Sequence, residues 1–96
     1  MLLTVDIGNT NITLGVFEEK KLRTTFRMTT IQTRTSDEYG MVMCELLEHN
    51  DVKVEEITDV IVASVVPNVM HSLTSAIIKY FHTKPIIIEA GVKTGI

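Results

Sequence analysis

The stretch from Leu2 to Phe17, Leu-Leu-Thr-Val-Asp-Ile-Gly-Asn-Thr-Asn-Ile-Thr-Leu-Gly-Val-Phe, constrains the fold more than any other part of the chain. Leu2, Leu3, Val5 and Ile7 make the nearly continuous apolar run of a central strand covered on both faces, and Asp6 interrupts it at its end. Gly8-Asn9-Thr10-Asn11 follows, small polar residues that tolerate positive φ and bond nearby backbone, so the chain turns here. Ile12, Leu14 and Val16 then alternate with Thr13, Gly15 and Phe17, the period of a returning strand. A chain that begins this way is built on a β-sheet.

Glu18-Glu19-Lys20-Lys21 reads as a solvated turn. Beyond it Leu22, Thr24, Phe26 and Met28 alternate with Arg23, Thr25 and Arg27, an antiparallel strand with one wet face. Thr29 to Arg34 is a polar loop. Thr35-Ser36-Asp37-Glu38 has the form of a capping box, with two carboxylates near the positive helix end. The helix it opens carries Tyr39, Val42, Met43, Leu46 and Leu47 on one stripe and fades around His49-Asn50-Asp51. Val52, Val54 and Ile57 are expected to tuck under the sheet.

Asp59 to Ser64 is another buried-type strand, and Pro67 starts a second helix. That helix has Val69, Leu73, Ile77 and Tyr80 on its core face, flanked by Met70, Ala76 and Phe81. Pro85 to Glu89 is a short strand, and Gly91 to Ile96 a Gly-rich exit. A meander followed by right-handed crossovers gives an α/β fold, a five-stranded mixed sheet with two main helices. If the strand ending at Ser64 runs parallel to the one ending at Asp6, both finish at the same sheet edge. Ser64, Val65 and Val66 then lie beside the Gly8–Asn11 turn, on the edge where open α/β sheets usually bind ligands.

At 96 residues the chain is one domain or a piece of one. A formal charge of −3 argues against non-specific nucleic-acid binding, and a single cysteine fits a reducing compartment. No apolar run is long enough to span a membrane, and the start lacks the pattern of a signal peptide, so a cytoplasmic location is expected. His49, His71 and His82 are too scattered for a zinc site, Cys44 reads as a packing residue, and no Walker A loop is present.

Chemistry concentrates at the first hairpin. Backbone N–H groups of a Gly/Asn turn can converge on an anion, with the Thr10 and Thr13 hydroxyls and the Asn9 and Asn11 amides adding neutral donors. Asp6 beside them is suited to hold a hydrated Mg²⁺ against a polyphosphate. The same residues also make an ordinary β-hairpin. Two-metal nuclease chemistry needs several carboxylates, and Asp6 is the only one that can be placed at this edge.

Asp6-Ile7-Gly8-Asn9-Thr10 resembles the first phosphate motif of the superfamily of acetate and sugar kinases, heat-shock chaperones and actin. Asp6 to Thr13, with Gly15 and Phe17, is most similar to type III pantothenate kinases. Arg34 to Tyr39, Ser64 to Pro67 and Gly91 to Gly95 agree with that family in order. The resemblance implies that residues 1–96 are one ribonuclease H-like subdomain with strand order 3-2-1-4-5. This would be the amino-terminal, ATP-binding subdomain, with the second subdomain absent.

The implied reaction transfers the ATP γ-phosphoryl group to the pantothenate hydroxyl in coenzyme A biosynthesis. Asp6, Ile7, Gly8, Asn9, Thr10, Asn11, Ile12 and Thr13 would bind the ATP phosphates, Asp6 would hold Mg²⁺ through water, and Gly15 would keep the second strand clear near the site. The family's catalytic aspartate base, pantothenate segment, adenosine-side motif and monovalent-cation ligand (K⁺ or NH₄⁺) are expected beyond Ile96. The chain alone is therefore expected to lack useful kinase activity. Such a half would also expose an apolar surface and form homo-oligomers, through exchange of the strand around Ile86 to Ile88. The alternative reading is a regulatory or transcription accessory protein of the same family acting through protein partners. A general ATPase or sugar kinase fits the later segments less well.

Overall fold

The computed structural model describes residues 1–89, so the Gly-rich exit expected from Gly91 onward lies outside the described residues. Strands β1 (Leu2–Ile7), β2 (Asn11–Glu18) and β3 (Lys21–Thr29) form the meander. Helix α1 (Ser36–His49), a single 3₁₀ turn (Val54–Glu56), strand β4 (Asp59–Ser64), helix α2 (Pro67–Phe81) and strand β5 (Ile86–Glu89) follow. The sheet order is β3-β2-β1-β4-β5, the order the resemblance implied. β2 runs antiparallel to β1 and to β3, while β4 is parallel to β1 and β5 to β4.

Strand alternation puts Leu3, Val5 and Ile7 of β1, Ile12, Leu14 and Val16 of β2, and Val60 and Val62 of β4 into one core with both helices. α1 supplies Tyr39, Met43 and Leu47, and α2 supplies Val69, Leu73, Ala76, Ile77 and Phe81. Burying each large aliphatic side chain is worth about 1.5–3 kcal/mol, so this one face holds the fold together. Tyr80, expected in the core, is only half-buried, whereas Ala76 and Phe81, expected at its flanks, are buried. Tyr80 instead lies over Gly40 of α1 and its hydroxyl donates to Asp37 Oδ1 at 3.0 Å.

The second face of β1 was expected to be covered, but among the described residues nothing covers it. Asp6 is exposed there and Leu2 and Thr4 are half-buried. Cross-strand register extends this open face as the row Arg27, Thr13, Asp6, Ala63 and Ile88 and the row Thr25, Gly15, Thr4, Ile61 and Ile86. Its β5 end is apolar, with Ile86 60% and Ile88 45% exposed.

β3 departs from simple alternation. Val16 faces Thr24 but Phe17 faces Leu22, so Arg23 is the extra residue of a bulge. The bulge brings Leu22 round to Phe17, where it is 55% exposed, and only Thr24, Phe26 and Met28 follow the expected inward period. The β2–β3 hairpin turns on Glu19 (φ 55°) and Lys20 (φ 86°), the positive φ values of a tight hairpin turn that matches strand twist.

The capping box forms at α1. Thr35 Oγ1 accepts from Glu38 N at 3.2 Å, and Thr35 N donates to Glu38 Oε1 at 2.9 Å. Pro67 begins α2, and His82 ends it in a left-handed conformation (φ 55°).

Candidate functional site

Three chain segments meet at one sheet edge. β1 and β4 are parallel with Ile7 opposite Ser64, so they end together. Thr29 at the end of β3 pairs with Asn11 at the start of β2, which brings the following loop to the same place. α2 begins directly after β4 at this edge, and its N-terminus adds partial positive charge, whereas the first turn of α1 lies beside the last turn of α2, where Asp37 Oδ1 accepts from Lys79 Nζ at 2.8 Å and from the Tyr80 hydroxyl at 3.0 Å.

The Gly8–Asn11 turn is built from backbone. Gly8 N donates to Asn11 O at 2.9 Å. From the next loop Thr30 N donates to Thr10 O at 2.9 Å, and Thr30 Oγ1 donates to Gly8 O at 2.8 Å. The carbonyls of Gly8, Thr10 and Asn11 are thereby occupied, while the N–H groups of Asn9 and Thr10 have no acceptor among the described residues. None of Gly8 to Asn11 adopts the left-handed φ that the sequence suggested. Glycine leaves room at position 8, where a Cβ would stand 3.1 Å from Asn11 O, a tight approach across the backbone pair that closes the turn.

The side chains of Asp6, Asn9, Thr10, Asn11 and Thr13 are all exposed, and Asp6 lies opposite Thr13 in register. Ile7 and Ile12 are fully buried in the core, so any part they take in binding is through backbone. Gly15 does not border this turn. It pairs with Thr4, and a Cβ there would meet Thr4 Oγ1 at 2.9 Å, with Phe17 and Leu22 next, so it serves local packing.

Ser64, Val65 and Val66 do lie beside the turn, since Val65 N donates to Ile7 O at 3.1 Å. The buried Ser64 hydroxyl accepts from Val66 N at 2.9 Å and donates to Val66 O at 3.1 Å, which leaves it shaping the loop, with Val65 exposed at the edge.

Among the described residues, no three His, Cys, Asp or Glu side chains gather into a metal cluster. A cation at this edge would have Asp6 as its protein ligand and take its other ligands from phosphate oxygens and water, the usual manner of Mg²⁺, and the exposed carboxylate beside free N–H donors fits that role. Cys44 is a poor nucleophile, because burial and then the nearby Glu48 charge push its thiol pKa up. A half-open hollow lined by Cys44, Glu48 and Asp51 to Glu55 lies at the other end of α1, away from the turn. No helix among the described residues is long and apolar enough to cross a membrane.

The loop from Thr30 to Arg34 is tied to the turn by Thr30 and held by Tyr39, whose hydroxyl donates to Ile31 O at 2.6 Å. The polar loop between a strand and a capping box was the available signal, but its contact with the turn depends on tertiary structure.

A mixed sheet in this order, with its polar turn after the first strand, places the chain in the actin and sugar-kinase fold class. A putative N-acetylglucosamine kinase (PG1100) from Porphyromonas gingivalis superposes with a TM-score of 0.67 at 21% identity, over 93% of this chain and 34% of that one. YeaZ from Pseudomonas aeruginosa gives 0.62 at 9% identity, over 92% of this chain and 42% of that one. At these identities the likeness is one of fold.

Residues 2–96 match the family described as Type III pantothenate kinase. The chain is 57% identical over 96 residues to a type III pantothenate kinase of Agathobacter rectalis. It therefore belongs to the type III pantothenate kinase family, and it spans 37% of the length of that relative.

Proposed function

We propose that residues 1–96 are the amino-terminal ATP-binding subdomain of a pantothenate kinase, acting in the cytoplasm in coenzyme A biosynthesis. The observation that carries this reading is the Gly8–Asn11 turn. Its Gly8 and Thr10 carbonyls are tied back by Thr30, and its Asn9 and Thr10 N–H groups have no acceptor among the described residues and lie near the exposed Asp6. Phosphoryl transfer needs positioning and charge neutralisation more than covalent help, and such a turn supplies donors already in place.

In the proposed mechanism the Asn9 and Thr10 N–H groups, the Thr10 and Thr13 hydroxyls and the Asn11 amide bind ATP phosphate oxygens. Asp6 would hold a hydrated Mg²⁺, whose charge would offset that of the phosphates. The N-terminus of α2 stabilises the same negative charge. The base for the acceptor hydroxyl, the pantothenate site and the K⁺ or NH₄⁺ ligand are assigned to the part of the family sequence that follows these residues. Without a positioned base the rate falls by about 10²–10⁴-fold. The apolar β5 end of the open face is assigned to self-association of the chain, which sedimentation over a concentration series tests.

The deciding experiment measures pantothenate phosphorylation with ATP, Mg²⁺ and K⁺ for this chain alone and mixed with the separately made remainder of a relative. The expected result is Mg·ATP binding by the chain, negligible turnover alone, and turnover on mixing. Activity of the lone chain comparable to an intact kinase overturns the assignment of the base. Failure of the chain and the mixture to bind Mg·ATP overturns the nucleotide site.

A further inference from the structure

The open face of the sheet carries two opposite charges on one row. Cross-strand register puts Asp6 of β1 opposite Thr13 of β2, and Thr13 opposite Arg27 of β3. Asp6 and Arg27 are both exposed. Neither has an ion-pair partner among the described residues, where the charged pairs are Arg23 with Glu18 and Lys79 with Asp37. Two strand spacings put their backbones roughly 10 Å apart.

The surface beside Arg27 is hollow. Arg27 and Thr25 stand two residues apart on the open face of β3, and their partners on β2 are Thr13 and Gly15. Thr13, Thr25 and Arg27 line the hollow together with Phe26, and at the fourth corner Gly15 puts no side chain into it. The walls thus offer a planar fork of N–H donors and two hydroxyls, with no carboxylate among the lining residues. Such a set is matched to an oxyanion. Exposed charge on an edge strand also discourages strand pairing, but that accounts for neither the hollow nor the hydroxyls around it.

The hollow adjoins the phosphate turn. The Thr13–Arg27 pair lies two residues in from the Asn11–Thr29 pair that ends both strands, a distance of about 7 Å along the strand. Thr30, the next residue, holds the Gly8 and Thr10 carbonyls. A polyphosphate seated on the turn and running over Thr13 therefore approaches Arg27.

We infer that Arg27, with Thr13 and Thr25, forms an anion subsite on the open face that takes a phosphate group of the bound nucleotide. This rests on the reading of the turn as an ATP site. The two ends of the row then act differently. Arg27 holds the anion directly, whereas Asp6 repels it unless a cation lies between. A carboxylate of the phosphoryl acceptor presents the same chemistry to Arg27, and the test separates the two sources.

The affinities of the wild-type chain, Arg27→Gln, Arg27→Lys and Lys21→Gln are measured by calorimetric titration with Mg·ATP, with inorganic tripolyphosphate plus Mg²⁺, and with pantothenate, while urea unfolding reports the fold. Lys21 is exposed at the far end of β3, so Lys21→Gln removes the same charge away from the hollow. Arg27→Gln is expected to weaken Mg·ATP and tripolyphosphate alike by about tenfold or more, as loss of a charge-assisted hydrogen bond does, with its unfolding midpoint unchanged. Arg27→Lys is expected to recover part of that loss, and Lys21→Gln to change affinity little. Unchanged affinity in Arg27→Gln, equal weakening by Lys21→Gln, or an Arg27→Lys variant as weak as Arg27→Gln overturns the subsite. Loss confined to pantothenate also overturns it, in favour of the acceptor carboxylate. A wild-type chain that binds neither Mg·ATP nor tripolyphosphate overturns the ATP reading and this one together, whereas wild-type binding with an unchanged Arg27→Gln overturns only the subsite.

Discussion

Gly40→Ala tests the contact that sets the start of α1 against the end of α2. A methyl group on Gly40 would stand 2.8 Å from Tyr80 Cγ and closer still to Cδ1 and Cε1. The near end of the ring is involved, so a small swing of the tip does not relieve the clash. The tip is itself held, by the hydroxyl bond to Asp37 at 3.0 Å and by Lys79 Nζ lying 5.9 Å from the ring centre. Two effects oppose each other. Alanine is the better helix former by about 0.8–1.0 kcal/mol. Overpacking a tight contact costs about 1–3 kcal/mol. The net expectation is destabilisation of about 1 kcal/mol, and a domain of this size loses roughly 4–8 °C in Tm for each such unit.

The assay is urea and thermal unfolding followed by far-ultraviolet circular dichroism for Gly40→Ala, Tyr80→Ala and the double variant. With the ring removed only the propensity gain remains, so Gly40→Ala should then stabilise by about 1 kcal/mol. The sign of the substitution should reverse between the two backgrounds, a coupling of the size that touching residues show. Gly40→Ala that stabilises the wild-type chain, or acts equally in both backgrounds, refutes the steric argument.

Asp6→Asn removes a carboxylate that is exposed and bonded to no described group. Its unfolding midpoint should therefore stay within about 0.5 kcal/mol of wild type while Mg²⁺-dependent nucleotide affinity falls, and equal losses of both would contradict the metal role. Gly8→Ala places a Cβ 3.1 Å from Asn11 O, which forces the turn to give by a few tenths of an ångström, roughly. Nucleotide titration should show weakened binding with little change in unfolding, and an unchanged affinity refutes the turn's role as a fitted cradle. The Glu38 carboxyl is held below its ordinary value by the Thr35 N–H and then by the Thr35 side chain. A lowered folded-state pKa contributes stability above the unfolded value that is lost as pH falls through the folded one. The stability gap between wild type and Glu38→Gln should thus be widest above about pH 5 and close below it, and a gap that persists in acid, measured by urea unfolding at each pH, sinks this account.

What could be read from the sequence was local. The first hairpin, the Thr35–Glu38 capping box and Pro67 at the start of α2 each depend on residues within a turn of one another. The strand order came from the resemblance, because nothing in Asp59 to Ser64 itself says that β4 pairs with β1 rather than with β3. The bulge at Arg23 was hidden for a different reason. Leu22, Thr24, Phe26 and Met28 alternate faultlessly in sequence, and only the pairing with β2 shows that Leu22 has changed faces. Tyr80 misled because helical spacing marks a face but not what that face meets, and here it meets a glycine and a carboxylate.

The alternation of β1 also explains why binding and stability can be altered separately at this edge. Val5 and Ile7 are buried against the helices while Asp6 between them faces the open side, opposite Thr13. A one-residue slip of β1 against β2 would bury the carboxylate and expose both apolar side chains, so the core that fixes the register also fixes where Asp6 points. The support for the turn follows the same division. Ile7, Ile12, Ser64 and Thr30 hold it through the core and through bonds to backbone, while Asn9, Thr10 and Asn11 extend outward. Substitutions in the first group are thus expected to be felt in folding as well as binding, whereas those in the second leave the fold in place and change only what the edge can hold.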